Sequence, residues 1–349
     1  MVSVDPGTMF FQTAENDSDG KLNLKEIRNA FVELEASEDI EQVLSQNDWQ
    51  YVKDGDHYFV IGEDSMRVAR MFPGKVELRR PMQGGVLNKG EDKKMLVMAK
   101  MIESSIGQAP DDNSLVCTCV SSDPIDGAVD NTFHKARLEG MFKRLGWNVK
   151  IIEEGHAIVL SEKPSIIESD GKKIPFSGIG MSFGAGKVNC ALVYRGLSII
   201  GMSAARSGDW IDQKVAEHTD KSISQITHIK ETELDFSNIN YDDDVIFALD
   251  AYYTNMIEYV FKNFAKKFKE VKSEFEAPLP IVIAGGTSMP KGFKEKIESV
   301  VKKLDLPFKI KNVIQSKDPR NSVVKGLLTQ SIISQKKLKK KKMEEELDK

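Results

Sequence analysis

Cysteine is scarce in this 349-residue chain, with three residues at positions 117, 119 and 190. An odd count without metal-ligand spacing argues against a disulfide framework and a structural zinc, and it predicts a reduced, cytoplasmic protein. The five histidines (57, 134, 156, 218 and 228) are scattered. No apolar run approaches the roughly 20 residues that cross a bilayer. The opening MVSVDPG lacks the basic-then-apolar order of an export signal. The expectation is therefore no membrane anchor and no N-terminal amphipathic membrane helix. A surplus of charge is missing too: 49 basic and 53 acidic residues leave a net charge of -4, so no nucleic-acid partner is expected. A Walker A loop is also absent, because G-x-x-x-x-G-K ending at Lys187 would need glycine at Met181 and Ser or Thr at Val188.

What the chain has is enough length and apolar content, 40% of residues, for a sizeable core and two domains. Its densest feature is Gly178 to Val193, GIGMSFGAGKVNCALV, where four glycines lead into an alternating apolar run. Backbone without Cβ atoms can turn consecutive amides inward and form a concave anion site. The stretch reads either as two strands whose glycine turn cradles a phosphate or as a tight hairpin with no ligand. Near the start, VSV, Asp5-Pro6-Gly7-Thr8 and MFFQTA form a second strand–turn–strand. Its acid at the strand end could hold Mg²⁺ directly or through water, or the turn is an ordinary one. Glu15 to Glu26, ENDSDGKLNLKE, has the acid spacing of a calcium loop. The residues before it are β-rich instead of helical, which favours a polar hairpin tip.

The remaining pattern alternates strands and helices. Residues 27–75 read as a small inserted subdomain, with a strand at YFVIG and a helix stopped by Pro73-Gly74. Helix 91–106, strand 115–120, a helix from Pro124 to Leu145 through Ile125, Val129, Phe133 and Ala136, and strand 147–152 follow. Glu153-Glu154 closes that last strand. Residues 163–173 are expected to be a polar connector, and a strand near 198–202 precedes a helix beginning at Ser207-Gly208-Asp209. A long helix spans 241–272, and PIVIA (280–284) is a buried-type strand that breaks into Gly285-Gly286-Thr287-Ser288. Helix 293–304, a strand at 308–310 and a last helix from Asp318 complete the chain. The two halves repeat one plan, which predicts a duplicated α/β unit with its two glycine turns facing across a cleft.

At this level the chain resembles the actin-like ATPases, most of all the MreB, MamK and ParM branch. Five stretches in the family's order carry the resemblance: Asp5-Pro6-Gly7-Thr8, Arg80-Pro81-Met82-Gln83-Gly84-Gly85-Val86, Ile152-Glu153-Glu154, Gly184 to Lys187 with Gly208-Asp209 and Ile211-Asp212 behind it, and Ile283 to Ser288 with Asp318-Pro319 downstream. The resemblance implies two RNase H-like domains closing on Mg-ATP. Domain I would cover 1–153, with its insertion at about 27–75, and domain II 154–335. The last helix, about 319–335, would pack back on domain I, ahead of a charged tail at 336–349. Carried over by position, Asp5 would hold magnesium through water, Gly7 and Thr8 would contact phosphate, and Ser182, Gly184, Ala185, Gly186 and Lys187 would wrap it from the other side. Gly208, Lys230, Gly285, Gly286 and Thr287 would meet the adenosine, and Glu154 would activate the attacking water. Five positions depart from the pattern. Gly155-His156 follow the acid where proline is usual, Ser182 and Lys187 stand where the family has Asp and Thr, and Thr227 replaces an acid three residues before Lys230.

The resemblance implies a filament that assembles from copies of itself and hydrolyses ATP slowly. A monomeric ATP-driven switch and a small-molecule kinase of the same superfold are the alternatives. Lys336 to Lys342 holds six lysines around Leu338 and is followed by Glu344 to Glu346. It reads as a solvated, partly disordered extension or as a weak contact for an anionic surface.

Overall fold

The computed structural model of the chain describes residues 1–349 except 73, 88–91, 127–130, 163–164, 168–169, 176, 272–274, 276 and 348–349. Expectations at Pro73, residue 91, Val129 and Lys272, and parts of the connector and the tail, lie outside the described residues.

Strand β1 (Val2–Pro6) turns at Gly7-Thr8 into β2 (Phe10–Asn16), which turns again into β3 (Leu22–Arg28). The calcium-like segment is thus the tip of a hairpin entered by a strand. Asp17 closes it by accepting from the amides of Asp19 (3.0 Å) and Lys21 (2.8 Å). Ile27 and Arg28, expected in the insertion, are the last residues of β3. A separate three-stranded sheet follows, formed by β4 (Phe31–Glu35), β5 (Tyr51–Asp54) and β6 (His57–Ile61) with helices α1 (Glu38–Gln46) and α2 (Glu63–Met71). The RPMQGGV stretch is a tight hairpin of β7 (Met82–Gln83) and β8 (Val86–Leu87). Helix α3 (Asp92–Ile106), strand β9 (Leu115–Val120), helix α4 (Asn131–Arg144) and strand β10 (Asn148–Glu153) complete the first half.

The second half begins with α5 (Glu154–Glu162), a small hairpin of β11 (Ser165–Ile167) and β12 (Lys173–Pro175), and the glycine hairpin β13 (Gly178–Phe183) and β14 (Val188–Tyr194). Strand β15 (Leu197–Ala204) and helices α6 (Gly208–Ala216), α7 (Ile223–Thr232) and α8 (Asp244–Glu270) come next. Strand β16 (Leu279–Ala284), helix α9 (Phe293–Val301), strand β17 (Ile310–Gln315) and helix α10 (Ser322–Leu347) finish the chain.

The two large sheets have the same order and the same directions. The first runs β10-β9-β1-β2-β3 and the second, read the same way, β17-β16-β13-β14-β15. In each, an antiparallel three-strand meander carries two further strands in parallel beside its first strand. Helices α3 and α4 cover the outer face of the first sheet, and α6 to α9 cover that of the second. On α8, Leu249, Tyr253, Met256, Val260 and Phe264 recur every three or four residues and are all buried, as an amphipathic helix requires.

Between the sheets lie α5, packed on β13 and β14, and α10, packed on β1 and β9. A shared core of Cys117, Cys119, Ala157, Ile158, Val282, Ala284, Val323 and Leu327 joins both sheets through these helices. The helices approach until a Cβ on Gly326 would lie 1.8 Å from the Ala157 carbonyl oxygen. Hydrogen bonds from Ser3 to the Val324 carbonyl (2.9 Å) and between Ser161 and Ser322 (2.6 Å) stitch α10 to both halves.

Several boundaries differ from the sequence reading. Pro124 is not helical: it bridges Ser203 at the edge of β15, and the Ile125 amide donates to the Ser203 carbonyl (2.9 Å). Ile125 therefore packs on the second core instead of starting the α4 face. The polar connector contains the β11–β12 hairpin. Helix α8 starts at 244 instead of 241 because Asp243 caps it, accepting from the amides of Val245 and Ile246. Phe308 packs against Phe264 and Phe268, and the strand begins two residues later. Helix α10 starts at 322 and continues to Leu347, since Leu, Lys, Met and Glu all favour helix. Helix α7 is started by a Ser222–Gln225 capping box.

Candidate active site

The tips of the two glycine hairpins meet. A Cβ on Gly186 would stand 2.6 Å from Thr8 Oγ1 and 2.7 Å from the Gly85 amide nitrogen, so any side chain there would separate three loops. Gly184 closes its hairpin by donating its amide to the Lys187 carbonyl (3.0 Å). The carbonyls of this turn are held from behind. Gly184 accepts from the Gly208 amide (3.1 Å) and the Thr287 hydroxyl (3.0 Å), and Ala185 accepts from the Asp209 amide (2.8 Å) and Ser207 hydroxyl (2.6 Å). The start of α6 thereby sets the orientation of the hairpin.

A cavity of about 540 Å³ opens beneath this junction. Of the residues singled out from sequence, Asp5, Gly7, Thr8, Glu154, Ser182, Gly184, Ala185, Gly186, Lys187, Lys230, Gly285, Gly286 and Thr287 line it. Gly208 does not. It sits behind the wall, where a Cβ would meet Thr287 Oγ1 at 2.4 Å.

One end of the cavity is acidic. Asp5 ends β1 beside β9, where the Cys119 thiol donates to its Oδ1 (3.4 Å). Burial pushes its pKa up to about 7, helped by the Glu154 charge and opposed by the Cys119 bond. Glu154 is the first residue of α5, which follows β10 without a loop. Its pKa is also raised, by burial, against the pull of Lys187 and of the polar side chains of Ser182, Asn189 and Ser121. The neighbouring acid takes another direction, since Glu153 accepts from the Ser198 hydroxyl (2.9 Å) on β15. Two buried carboxylates that resist ionisation together are suited to a cation or a developing positive charge.

The hairpins are also alike in what they carry. Asp5 pairs across its hairpin with Gln12, and Ser182 pairs with Asn189. Each pair lies one step before its glycine turn, so Ser182 occupies the place in the second unit that Asp5 holds in the first. All four side chains line the cavity.

At the other end Lys230 donates to Asp212 (2.7 Å) and to the Gly208 carbonyl (3.2 Å), and the Thr227 hydroxyl donates to Asp212 (2.7 Å). The acid that pairs with Lys230 is thus on α6. Burial raises the Asp212 pKa, and Lys230 opposes it. Gly285, at φ 96°, brings its Cα so close that a Cβ would lie 2.4 Å from the Phe183 carbonyl oxygen. Thr287 is braced by Tyr253, whose hydroxyl donates to its carbonyl (3.1 Å).

Sequence reasoning missed several wall residues. The guanidinium groups of Arg28 (5.1 Å) and Arg320 (3.9 Å) both lie over the Phe10 ring, and Arg320 also pairs with Glu26 (2.8 Å). No local motif marks these residues. Asn189 could have been found from the hairpin register, and Gly85 from its place in RPMQGGV.

The comparisons decide the family. Residues 1–331 match the model of the family described as Volactin. The chain belongs to the volactin family. Among solved structures this volactin-family chain is similar to a MamK double helical filament, with 16% identity over 95% of this chain and 98% of that one and a TM-score of 0.67. It is similar to MreB5 of Spiroplasma citri bound to AMPPNP, with 13% identity over 98% of each chain and a TM-score of 0.65. The ethanolamine utilisation protein EutJ from Carboxydothermus hydrogenoformans is 12% identical over 94% of this chain and 88% of that one, with a TM-score of 0.53. At these identities the likeness concerns the fold, which is actin-like. No curated protein matches the chain. No helix among the described residues is long and apolar enough to cross a membrane.

Proposed function

We propose that this chain is an actin-like ATPase that binds Mg-ATP between its two duplicated units, hydrolyses it slowly and assembles head to tail into filaments in the cytoplasm. The single observation that carries the reading is the convergence of both glycine turns and the Gly285–Thr287 loop on one cavity with a buried acid pair at its phosphate end. The cavity volume suits a nucleotide. Likeness to MreB5 bound to AMPPNP and to a MamK filament supports the nucleotide and the polymer respectively.

Roles follow the walls. Amides and hydroxyls of Gly7, Thr8, Ser182, Ala185 and Gly186 face the phosphates, and Lys230 with Asp212, Gly285, Gly286 and Thr287 holds the nucleoside. The donor set of Asp5, Thr8, Ser182 and Asn189 is all oxygen or amide, which fits magnesium carrying part of its water shell. Bound there, the ion would neutralise charge on the transferred phosphoryl group. Glu154 takes the proton of, or orients, the attacking water; its raised pKa brings it nearer the operating pH of a general base. We divide the chain at 153/154, with the α5–α10 crossing as the pivot. Domain closure around the nucleotide then tilts the surfaces that stack in an open head-to-tail polymer.

Sedimentation of purified protein with Mg-ATP, Mg-ADP and no nucleotide tests the reading. Pelleting with Mg-ATP, and filaments by electron microscopy, are expected. Monomers at high concentration in all three conditions, with ATP still consumed, would instead favour the ATP-driven switch.

A further inference from the structure

Lys187 is an ion in an unusual position. It is 6% exposed, yet its Nζ has no hydrogen-bond partner among the described residues. A buried ammonium without a partner is costly, so such a group is retained where a ligand or a nearby charge completes it. Two features locate the missing partner. The stem of Lys187 passes the Gly85 backbone, with Cδ 3.1 Å from where a Cβ on Gly85 would stand, which fixes the side chain between the three loops that meet at Gly186. The residue also lines the cavity beside Asp5, Thr8, Ser182 and Glu154, at its acidic end. Burial lowers its pKa from the usual lysine value, against the fields of Glu154 and Asp126, which favour the charged form.

We infer that Lys187 is a resident cation of the phosphate subsite, which takes over part of the charge neutralisation that a divalent ion supplies and so makes nucleotide binding only weakly dependent on magnesium. This rests on the proposed nucleotide reading. A fixed ammonium three residues after Gly184 sits on the same rigid hairpin as the phosphate-facing amides. Its Nζ has no hydrogen-bond partner among the described residues and is itself shielded from solvent, so a change of side-chain rotamer would bring its donors to a phosphate oxygen. The second hairpin carries Ser182 where the first carries Asp5. It therefore contributes a hydroxyl and an ammonium, where a second carboxylate would have demanded a firmly held metal ion.

The test is calorimetric titration of AMPPNP and ADP into the full chain, with magnesium or with a chelator, for the parent, Lys187→Met and Lys187→Arg. Methionine keeps length and apolar volume without charge, and arginine keeps the charge. For the parent, chelation should weaken binding less than about 10-fold. Lys187→Met should lose a further factor of about 10 to 100 in chelator, the scale of one charge-assisted hydrogen bond, and less in magnesium. Lys187→Arg should restore most of the loss. If chelation abolishes parent binding, or if parent and Lys187→Met lose affinity by the same factor, the inference is overturned while the nucleotide reading stands. The parent arm requires no variant to fold. Absence of binding by the parent in both buffers overturns the nucleotide reading and this inference with it.

Discussion

At the scale of single residues, burial decides the chemistry. Glu153 and Glu154 are neighbours of the same type, but one accepts from Ser198 on β15 and the other lines the cavity. Glu154→Gln should leave nucleotide affinity within a few-fold and slow phosphate release by about 10²–10⁴-fold, the usual contribution of a general base or water-positioning group. Single-turnover phosphate release alongside calorimetry separates the two effects, and equal turnover in the variant would remove Glu154 from the chemistry. His134 gives a pH prediction. Its Nδ1 accepts from the Leu87 amide (3.2 Å), so the bond needs the neutral ring. Burial, with the Lys187 charge adding to it, lowers its pKa from the usual 6.5 to about 4. Because the folded value lies below the unfolded one, the stability it contributes is present above pH 6.5 and is lost as pH falls toward 4. The loss is at most ~3 kcal/mol. Urea midpoints at pH 7.5, 6 and 5 should fall less steeply for His134→Gln than for the parent. Parallel slopes would show that His134 titrates normally.

At the scale of elements, close packing overrides helix propensity. Glycine inside a helix normally costs about 1 kcal/mol relative to alanine. On α10, however, a Cβ at Gly326 would lie 1.8 Å from the Ala157 carbonyl oxygen. The crossing of α5 and α10 cannot accept it without moving backbone, and overpacking typically costs 1–3 kcal/mol or more. Gly326→Ala should therefore destabilise the protein. Gly140→Ala on α4, where a Cβ would meet nothing within 4 Å, should stabilise it by up to about 1 kcal/mol. Opposite signs in the two denaturation midpoints are the expected result, and matching signs would mean that the crossing is loose. The same crowding explains Gly155, whose Cβ would stand 2.5 Å from the Ala191 amide nitrogen. It lets α5 lie directly on the second sheet and so carries Glu154 to the cavity.

At the scale of the whole molecule, the cavity is a property of both units together. Arg80 reaches Asp209 at the start of α6 (3.2 Å), linking the β7–β8 region to the second unit at the cleft. A ligand that bridges the units must stabilise them as one body. Mg-ATP at 100 times its dissociation constant should add about 2.7 kcal/mol, visible as a rise in melting temperature. Asp5→Ala should remove about 1 kcal/mol of this, through the magnesium-dependent part. A melting temperature indifferent to nucleotide would rule out binding at the cleft.

Much of this was legible in the chain, because the information was local. Glycine turns between apolar strands, the period of α8 and the PIVIA strand depend on near neighbours, and so did the repeated plan of the two halves. Local pattern also brought together the candidate residues of both hairpins and of the Gly285–Thr287 loop. What the sequence could not express was contact between residues far apart. Ile125 has helical spacing but belongs to the edge of β15, because its amide finds Ser203 there. Gly208 matches a motif, yet it packs behind the wall because its space is taken by Thr287. The acid that answers Lys230 comes from Asp212 on another helix, and the Phe10 ring meets the guanidinium groups of Arg28 and Arg320, which come from opposite ends of the chain. Such pairings are chosen by the steric fit and charge balance of surfaces that exist only once the two sheets have closed on α5 and α10.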